Sequence, residues 1–199
     1  MTEKALLADF KDKKWNYMVI EGSPLGNTSF LLLFLKNILL GDKTKSGSKF
    51  DRLLDSQIRI LYLRPEDIGS SDKLSRASMD GISELAQVET IYNEDVFEYR
   101  NILRTLQNRQ YTHLVIDEVR KKYEDNRMEK FSEIISYCEQ SNIKLLVSTT
   151  DNRMQKLDYL AYSADLIFNV TPHIIQNIYS MEIEDRNQSQ FKKYSLIMK

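Results

Sequence analysis

Cysteine is nearly missing from this chain, and its scarcity excludes a good deal. The single residue, Cys138, cannot close an internal disulfide or build a cysteine-based metal site. It falls at an apolar position of a helical pattern, so a buried thiol is expected. Histidine is almost as scarce. His113 and His173 lie far apart in the chain and no H-x-x-x-H pair exists, so a transition-metal enzyme is not expected.

A bias towards one sign of charge is also lacking. Lysine and arginine number 28 against 29 aspartates and glutamates, a formal net charge of −1. Nucleic-acid binding would therefore have to come from a local patch. Arg120-Lys-Lys122 with Arg127 is one such cluster, but it is interleaved with Glu124, Asp125 and Glu129 and reads as a solvated face. No apolar run is long enough for a membrane. The longest, Leu31 to Leu40, is interrupted by Lys36 and Asn37 and has about half of the roughly 20 residues a span requires. Met1 to Lys14 is charged throughout, unlike a secretory signal. The expectation is a soluble cytoplasmic protein with no membrane partner. A composition 42% apolar over 199 residues suits one domain, 1–199, with a proper core.

What is present is a succession of strands and helices. Residues 1–14 read as an amphipathic lead-in helix with Leu6, Leu7 and Phe10 on its apolar side. Trp15 to Ile20 reads as a first core strand, and a strongly apolar helix begins near Thr28. Gly41 to Asp51 is a polar loop. Ile58 to Leu63 is the next strand, closed by Arg64-Pro65-Glu66-Asp67. Residues 72–86 read as helix, Val88 to Tyr92 as a short strand and Glu94 to Arg109 as a helix. His113 to Asp117-Glu118 is a continuous apolar strand closing on two carboxylates. Met128 to Gln140 is a helix, and Ile143 to Val147 a strand with the polar tip Ser148-Thr149-Thr150. Residues 153–162 read as helix and Asp165 to Val170 as strand. Asn177 to Glu184 and Phe191 to Met198 alternate apolar and polar residues and read as an antiparallel hairpin. Strands separated by helices predict a three-layer α/β fold, a mainly parallel sheet covered on both faces, with that C-terminal hairpin at one edge.

The stretch between the first strand and its helix carries the chemistry. A strand, a turn with Gly22, Pro24 and Gly26, and a helix opening on Thr28-Ser29 have the layout of a phosphate-binding loop. The motif G-x-x-x-x-G-K-[ST] asks for Gly at position 21 and Lys at position 27, where this chain has Glu21 and Asn27. That lysine normally reaches the β- and γ-phosphates. Asn is uncharged and shorter, so hydrolysis should be slow or absent, while backbone amides still permit weak nucleotide binding. Arg64, on the second strand, is a candidate substitute for the missing cation.

The order of motifs resembles a RecA-like P-loop ATPase and, more narrowly, the ATPase domain of DnaB-type replicative hexameric helicases, over almost the whole chain. Gly22-Ser-Pro-Leu-Gly-Asn-Thr28-Ser-Phe30 resembles that family's R-P-S-M-G-K-T-A-F. Ile60-Leu-Tyr-Leu-Arg-Pro-Glu66 is similar to its second strand, which ends S-L-E with the catalytic glutamate. Leu114-Val-Ile-Asp117 resembles Walker B. Leu145-Leu-Val-Ser148 with Asn152-Arg153 resembles the strand ending L-S-Q-L-N-R, with Thr149 near the sensor glutamine's place. Ser163-Ala-Asp-Leu-Ile-Phe168 is similar to its D-A-D-L-I strand. Met181-Glu-Ile-Glu-Asp-Arg186-Asn187 resembles the I-x-K-x-R-N segment that supplies an arginine finger to a neighbouring subunit, with Glu184 in place of its lysine. No counterpart of that family's N-terminal domain stands within these residues.

The resemblance implies a site. Gly22, Ser23, Gly26, Asn27, Thr28 and Ser29 would cradle the phosphates of ATP, and Thr28 and Asp117 would hold Mg²⁺. Glu66 would polarise the attacking water and Arg186 would act in trans. It further implies a degenerate nucleotide-binding or accessory subunit in DNA replication or recombination. Single-stranded DNA would be a partner, and the chain would work as a homo-oligomer or beside an active paralogue. A nucleotide-free scaffold that binds a protein partner, and an active ATPase with a rearranged site, are the alternatives. Each residue also has a plainer reading: Thr28 as a helix cap, Asp117 as the polar end of a strand, Arg186 as an exposed turn residue.

Overall fold

The structure is a computed structural model, and it describes residues 15–22, 28, 30–36, 39, 58–64, 79–92, 99–119, 128–149, 163–173, 178–187 and 190–197. Eight strands form one sheet: β1 (Tyr17–Gly22), β2 (Arg59–Arg64), β3 (Gln87–Tyr92), β4 (His113–Val119), β5 (Lys144–Thr149), β6 (Leu166–His173), β7 (Ile178–Asp185) and β8 (Gln190–Ile197). The helices among the described residues are α1 (described at 28, 30–36 and 39), α2 (79–83), α3 (Tyr99–Asn108) and α4 (Met128–Gln140). The expected helices at 1–14 and 153–162 lie outside the described residues, as does the Gly41 to Asp51 loop.

The strand order is β3-β2-β4-β5-β1-β6-β7-β8. β1 pairs in parallel with both β5 and β6, and β2 pairs in parallel with both β3 and β4. The last two ladders, β6–β7 and β7–β8, are antiparallel. The chain leaves β1 towards β2 on one side and returns through β5 to β6 on the other. The direction of winding therefore reverses at β1, and open α/β sheets form a crevice at the carboxyl ends of their strands at such a point.

Parallel strands are buried on both faces, so β1, β2, β4 and β5 are apolar nearly throughout. Alternation divides them between two clusters. Met18, Ile20, Ile60, Tyr62, Val115, Leu146, Leu166 and Phe168 face α1 and α2. Tyr17, Val19, Leu61, Leu63, Leu114, Ile116, Leu145 and Val147 face α3 and α4. On the first face Phe30 and Phe34, one turn apart on α1, pack against Phe168 with ring centroids 5.9 and 5.1 Å away, which fixes the helix over the middle of the sheet.

On the second face Ile102 and Leu106 of α3 and Ile134, Ile135 and Cys138 of α4 complete the core. The Cys138 thiol is 2% exposed and burial pushes it up to about 12, in keeping with the buried role expected. α4 stops where Asn142 takes φ 55°. The Ile143 N–H then reaches the Cys138 carbonyl at 2.8 Å and the Asn142 N–H reaches the Glu139 carbonyl at 3.2 Å, the pair of bonds that ends a helix and turns the chain directly into β5.

β5 runs further than its sequence suggests. Ser148 and Thr149, expected as the polar tip that follows the strand, are strand residues 0% and 1% exposed. They are buried because β4 and β1 run alongside them to the end of the ladder. No helix among the described residues is long and apolar enough to cross a membrane.

Candidate functional site

β1 carries the chain to Gly22, and by Thr28 the chain is already helical. Both ends of this connection lie at the carboxyl edge of the sheet, where β4 and β5 also finish. Glu21, standing where the phosphate-loop motif has its first glycine, is still a strand residue, 8% exposed, in register with Thr149 of β5 and Asn169 of β6.

Asp117 lies at the centre of this edge. The β4–β5 ladder runs evenly from His113↔Lys144 to Ile116↔Val147, then shifts, and Val119 pairs with Thr149. β4 thus spends an extra residue between these two pairs, a bulge at Asp117-Glu118. Bulges beside sites re-aim side chains, and this one coincides with the acidic end of the strand.

The Asp117 carboxylate is 0% exposed and accepts three hydroxyls. Thr28 Oγ1 donates to Oδ1 at 3.0 Å from the head of α1. Ser148 Oγ donates to the same oxygen at 2.7 Å from β5. The Tyr62 hydroxyl donates to Oδ2 at 2.7 Å from β2. Hydrogen bonds to an ionised acceptor are the stronger kind, about 1.5–3 kcal/mol each. They do not overcome dehydration. Burial pushes the Asp117 carboxyl above its ordinary range, and the bonds from Tyr62, Ser148 and Thr28 and the charge of Arg64 pull it back only in part. A buried carboxylate ringed by hydroxyls is poorly compensated in charge, and a cation at this edge would supply what is lacking.

Of the site residues read from sequence, Thr28 and Asp117 meet here, and Gly22 ends β1 at the same edge. Ser23, Gly26, Asn27, Ser29 and Glu66 lie outside the described residues. Arg186 does not join them within one chain. It lies in the β7–β8 turn, where its N–H reaches the Asp165 carbonyl at 3.0 Å just ahead of β6, at the amino edge of the parallel strands. Its Nε bonds Glu184 Oε1 at 3.1 Å, with both side chains about one-third exposed. Sequence reasoning misses two members of the cluster. Tyr62 reads as a strand residue and Ser148 as a polar strand tip, and only strand register reveals that both face Asp117.

The donor set suits Mg²⁺. One hydroxyl and one carboxylate are hard oxygen ligands, and Mg²⁺ characteristically takes one or two carboxylates and completes its shell with water and substrate phosphate. Among the described residues no group of three or more His, Cys, Asp and Glu side chains could hold a metal by itself.

No family model matches the chain, and no curated protein matches it either. Solved structures do. The RadB recombinase superposes with a TM-score of 0.60 at 14% identity, over 100% of this chain and 98% of that one. The KaiC-like protein PH0186 from Pyrococcus horikoshii OT3 superposes with a TM-score of 0.55 at 10% identity, over 90% of this chain and 84% of that one. The likeness is one of fold, the RecA-like α/β architecture.

Proposed function

We propose that this chain is a nucleotide-binding RecA-like protein acting in DNA recombination or replication, with weak or no ATP hydrolysis. The observation that carries the reading is the 3.0 Å hydrogen bond from Thr28 to Asp117, which ties the head of α1 to the acidic end of β4 across 89 residues. A helix cap or a polar strand end accounts for either residue alone but not for their meeting. The end-to-end likeness to a recombinase supports recombination as the setting.

In this reading the backbone amides of residues 22–28 and the N-terminus of α1 take the phosphates. Thr28 and Asp117 would hold Mg²⁺, which when bound neutralises charge on the β- and γ-phosphates. Tyr62 and Ser148 hold the Asp117 carboxylate in place for that task. Glu66 polarises the water, and Arg186 serves the site of a neighbouring subunit, as in the helicases that the sequence resembles. Oligomerisation with itself or with an active paralogue, and contact with single-stranded DNA, belong to the same proposal.

An ATPase assay with and without single-stranded DNA tests it. Turnover is expected to be slow, and Glu66→Gln to remove most of what remains. Robust turnover that survives Glu66→Gln contradicts the role given to that residue.

A second reading, a nucleotide-free scaffold for a protein partner, draws on one observation: the three hydroxyls around Asp117 form a closed knot that also serves simply to stitch β2, β4, β5 and α1 together.

A further inference from the structure

We propose that the cavity between the C-terminal ends of α3 and α4 is a docking site for an arginine side chain of a partner protein. It lies at the amino edge of the sheet, opposite Thr28 and Asp117, and stands apart from the nucleotide reading above.

The cavity has a volume of about 610 Å³. Its floor is apolar and fixed: Leu106, Tyr111 and Ile143 are all buried. Tyr111 leads into β4 and Ile143 into β5, so the floor sits where those two strands begin. The rim is neutral and exposed, formed by Gln107, Asn108, Gln110 and Ser141. Side chains of this kind can accept hydrogen bonds from a cation without competing with it in charge.

The attraction for a cation comes from the helices. α3 ends at the cavity with Leu106-Gln107-Asn108, and α4 brings Tyr137 of its last turn and Ser141 just past its end. The carboxyl end of a helix carries roughly half a negative charge, which a lysine or arginine in the last turn commonly offsets. Neither helix has a basic residue there, and α4 has Glu139. The end of α4 is closed by its own chain, since the N–H groups of Ser141 and Ile143 reach the carbonyls of Tyr137 and Cys138. No closing bonds of that kind follow Asn108 among the described residues, so α3 keeps its last carbonyls for a donor from outside.

Arg109 also lines the cavity, but its charge is matched. Its Nη1 bonds Glu89 Oε2, and the Tyr111 hydroxyl donates to the same oxygen at 2.6 Å. That cluster closes the β3 side and leaves the two helix ends as the unbalanced field. Arginine suits the space better than lysine. Its planar head stacks on an aromatic face, which half-buried Tyr137 supplies in the wall, and it is the more weakly hydrated of the two cations. The volume also admits the stem and the residues flanking it, as a segment of a partner chain requires.

The test is a titration of the full chain with capped Gly-Arg-Gly, Gly-Lys-Gly and Gly-citrulline-Gly, followed by NMR at the backbone amides of residues 106–111 and 141–143. Gly-Arg-Gly should shift these signals saturably, and Gly-Lys-Gly more weakly. Citrulline, which has the shape of arginine without its charge, should bind about tenfold less tightly or worse. Gln107→Lys places a cation in the last turn of α3 at an exposed position, and should weaken Gly-Arg-Gly about tenfold at an unchanged melting temperature. Tyr137→Phe, which keeps the ring, should retain the affinity. A Gly-Arg-Gly titration without saturable shifts, equal binding of the citrulline peptide, or a folded Gln107→Lys variant with full affinity overturns the proposal. So does free guanidinium bound as tightly as Gly-Arg-Gly, which would put a small cation there in place of a partner's side chain.

Discussion

Asn27→Lys is expected to raise ATP hydrolysis by on the order of 10²–10³, the amount that one well-placed charge contributes to a transition state of this kind. Phosphoryl transfer depends on positioning and on neutralising charge at the equatorial oxygens, with little covalent work for the protein. Asn27 can donate one hydrogen bond there but brings no charge. Of the residues proposed for the site, Thr28 and Asp117 are in contact at the carboxyl edge. Restoring the lysine should therefore restore rate. Steady-state turnover of the variant against wild type, at saturating Mg·ATP, reads the effect. No gain would mean that decay has spread beyond this residue, to Glu66 or to the trans contribution of Arg186.

Asp117→Asn should separate the stability of the fold from its affinity for metal. The amide oxygen still accepts from Thr28 and Ser148, and the amide nitrogen can donate to the Tyr62 oxygen, so the knot survives without its buried charge. Removing a poorly compensated buried carboxylate is neutral or stabilising, and the melting temperature should hold or rise. Mg²⁺-dependent affinity for ATP should fall about 10–100-fold or more, since altering even a group that only orients a metal ligand costs that much.

The pH dependence has a definite sign. Burial holds the folded pKa of Asp117 above its unfolded value of 3.8. The native state therefore keeps its proton longer, and the stability this lends is lost as pH rises through the raised pKa. The advantage of Asp117→Asn over wild type should accordingly grow with pH across that window, in melts run at a series of pH values. Mg²⁺ affinity of the wild type should climb over the same window, because the anion is the form that attracts the ion. A variant that melts far below wild type at every pH would show the charge itself to be structural.

Much of the architecture could be read from the residues because parallel strands buried on two faces leave long apolar runs. Tyr17 to Ile20, Ile60 to Leu63 and Leu114 to Ile116 are of that kind. The closing hairpin was legible for the opposite reason: Ile178 to Asp185 and Gln190 to Ile197 alternate, as strands at a sheet margin do. Thr28 and Asp117 could be named because a phosphate loop and an acidic strand end have recognisable neighbours.

What the sequence concealed depends on register. Nothing in Ile-Leu-Tyr-Leu marks Tyr62 as a ligand to a carboxylate 55 residues away. That relation exists only once β2 lies against β4 with Leu63 opposite Ile116. Ser148 misled for a similar reason. Ser148-Thr149 after an apolar stretch looks like a mere polar tip until β4 and β1 are seen to extend alongside it. The bulge at Asp117-Glu118 is invisible in the sequence, since it arises from the mismatch of two strands. Arg186 stands out by motif alone, and its place at the opposite edge restricts any finger role to a neighbouring subunit.

In the proposed function, the contact between Thr28 and Asp117 is the working part of a triphosphate cradle. The most direct measurement is the affinity of wild type and Thr28→Ala for ATP, each with Mg²⁺ and with the ion chelated. Wild type should bind more tightly when Mg²⁺ is present, and Thr28→Ala should lose that Mg²⁺ dependence while melting as a folded protein. Wild-type affinity that ignores Mg²⁺, or a Thr28→Ala variant that keeps the full dependence, would contradict the account.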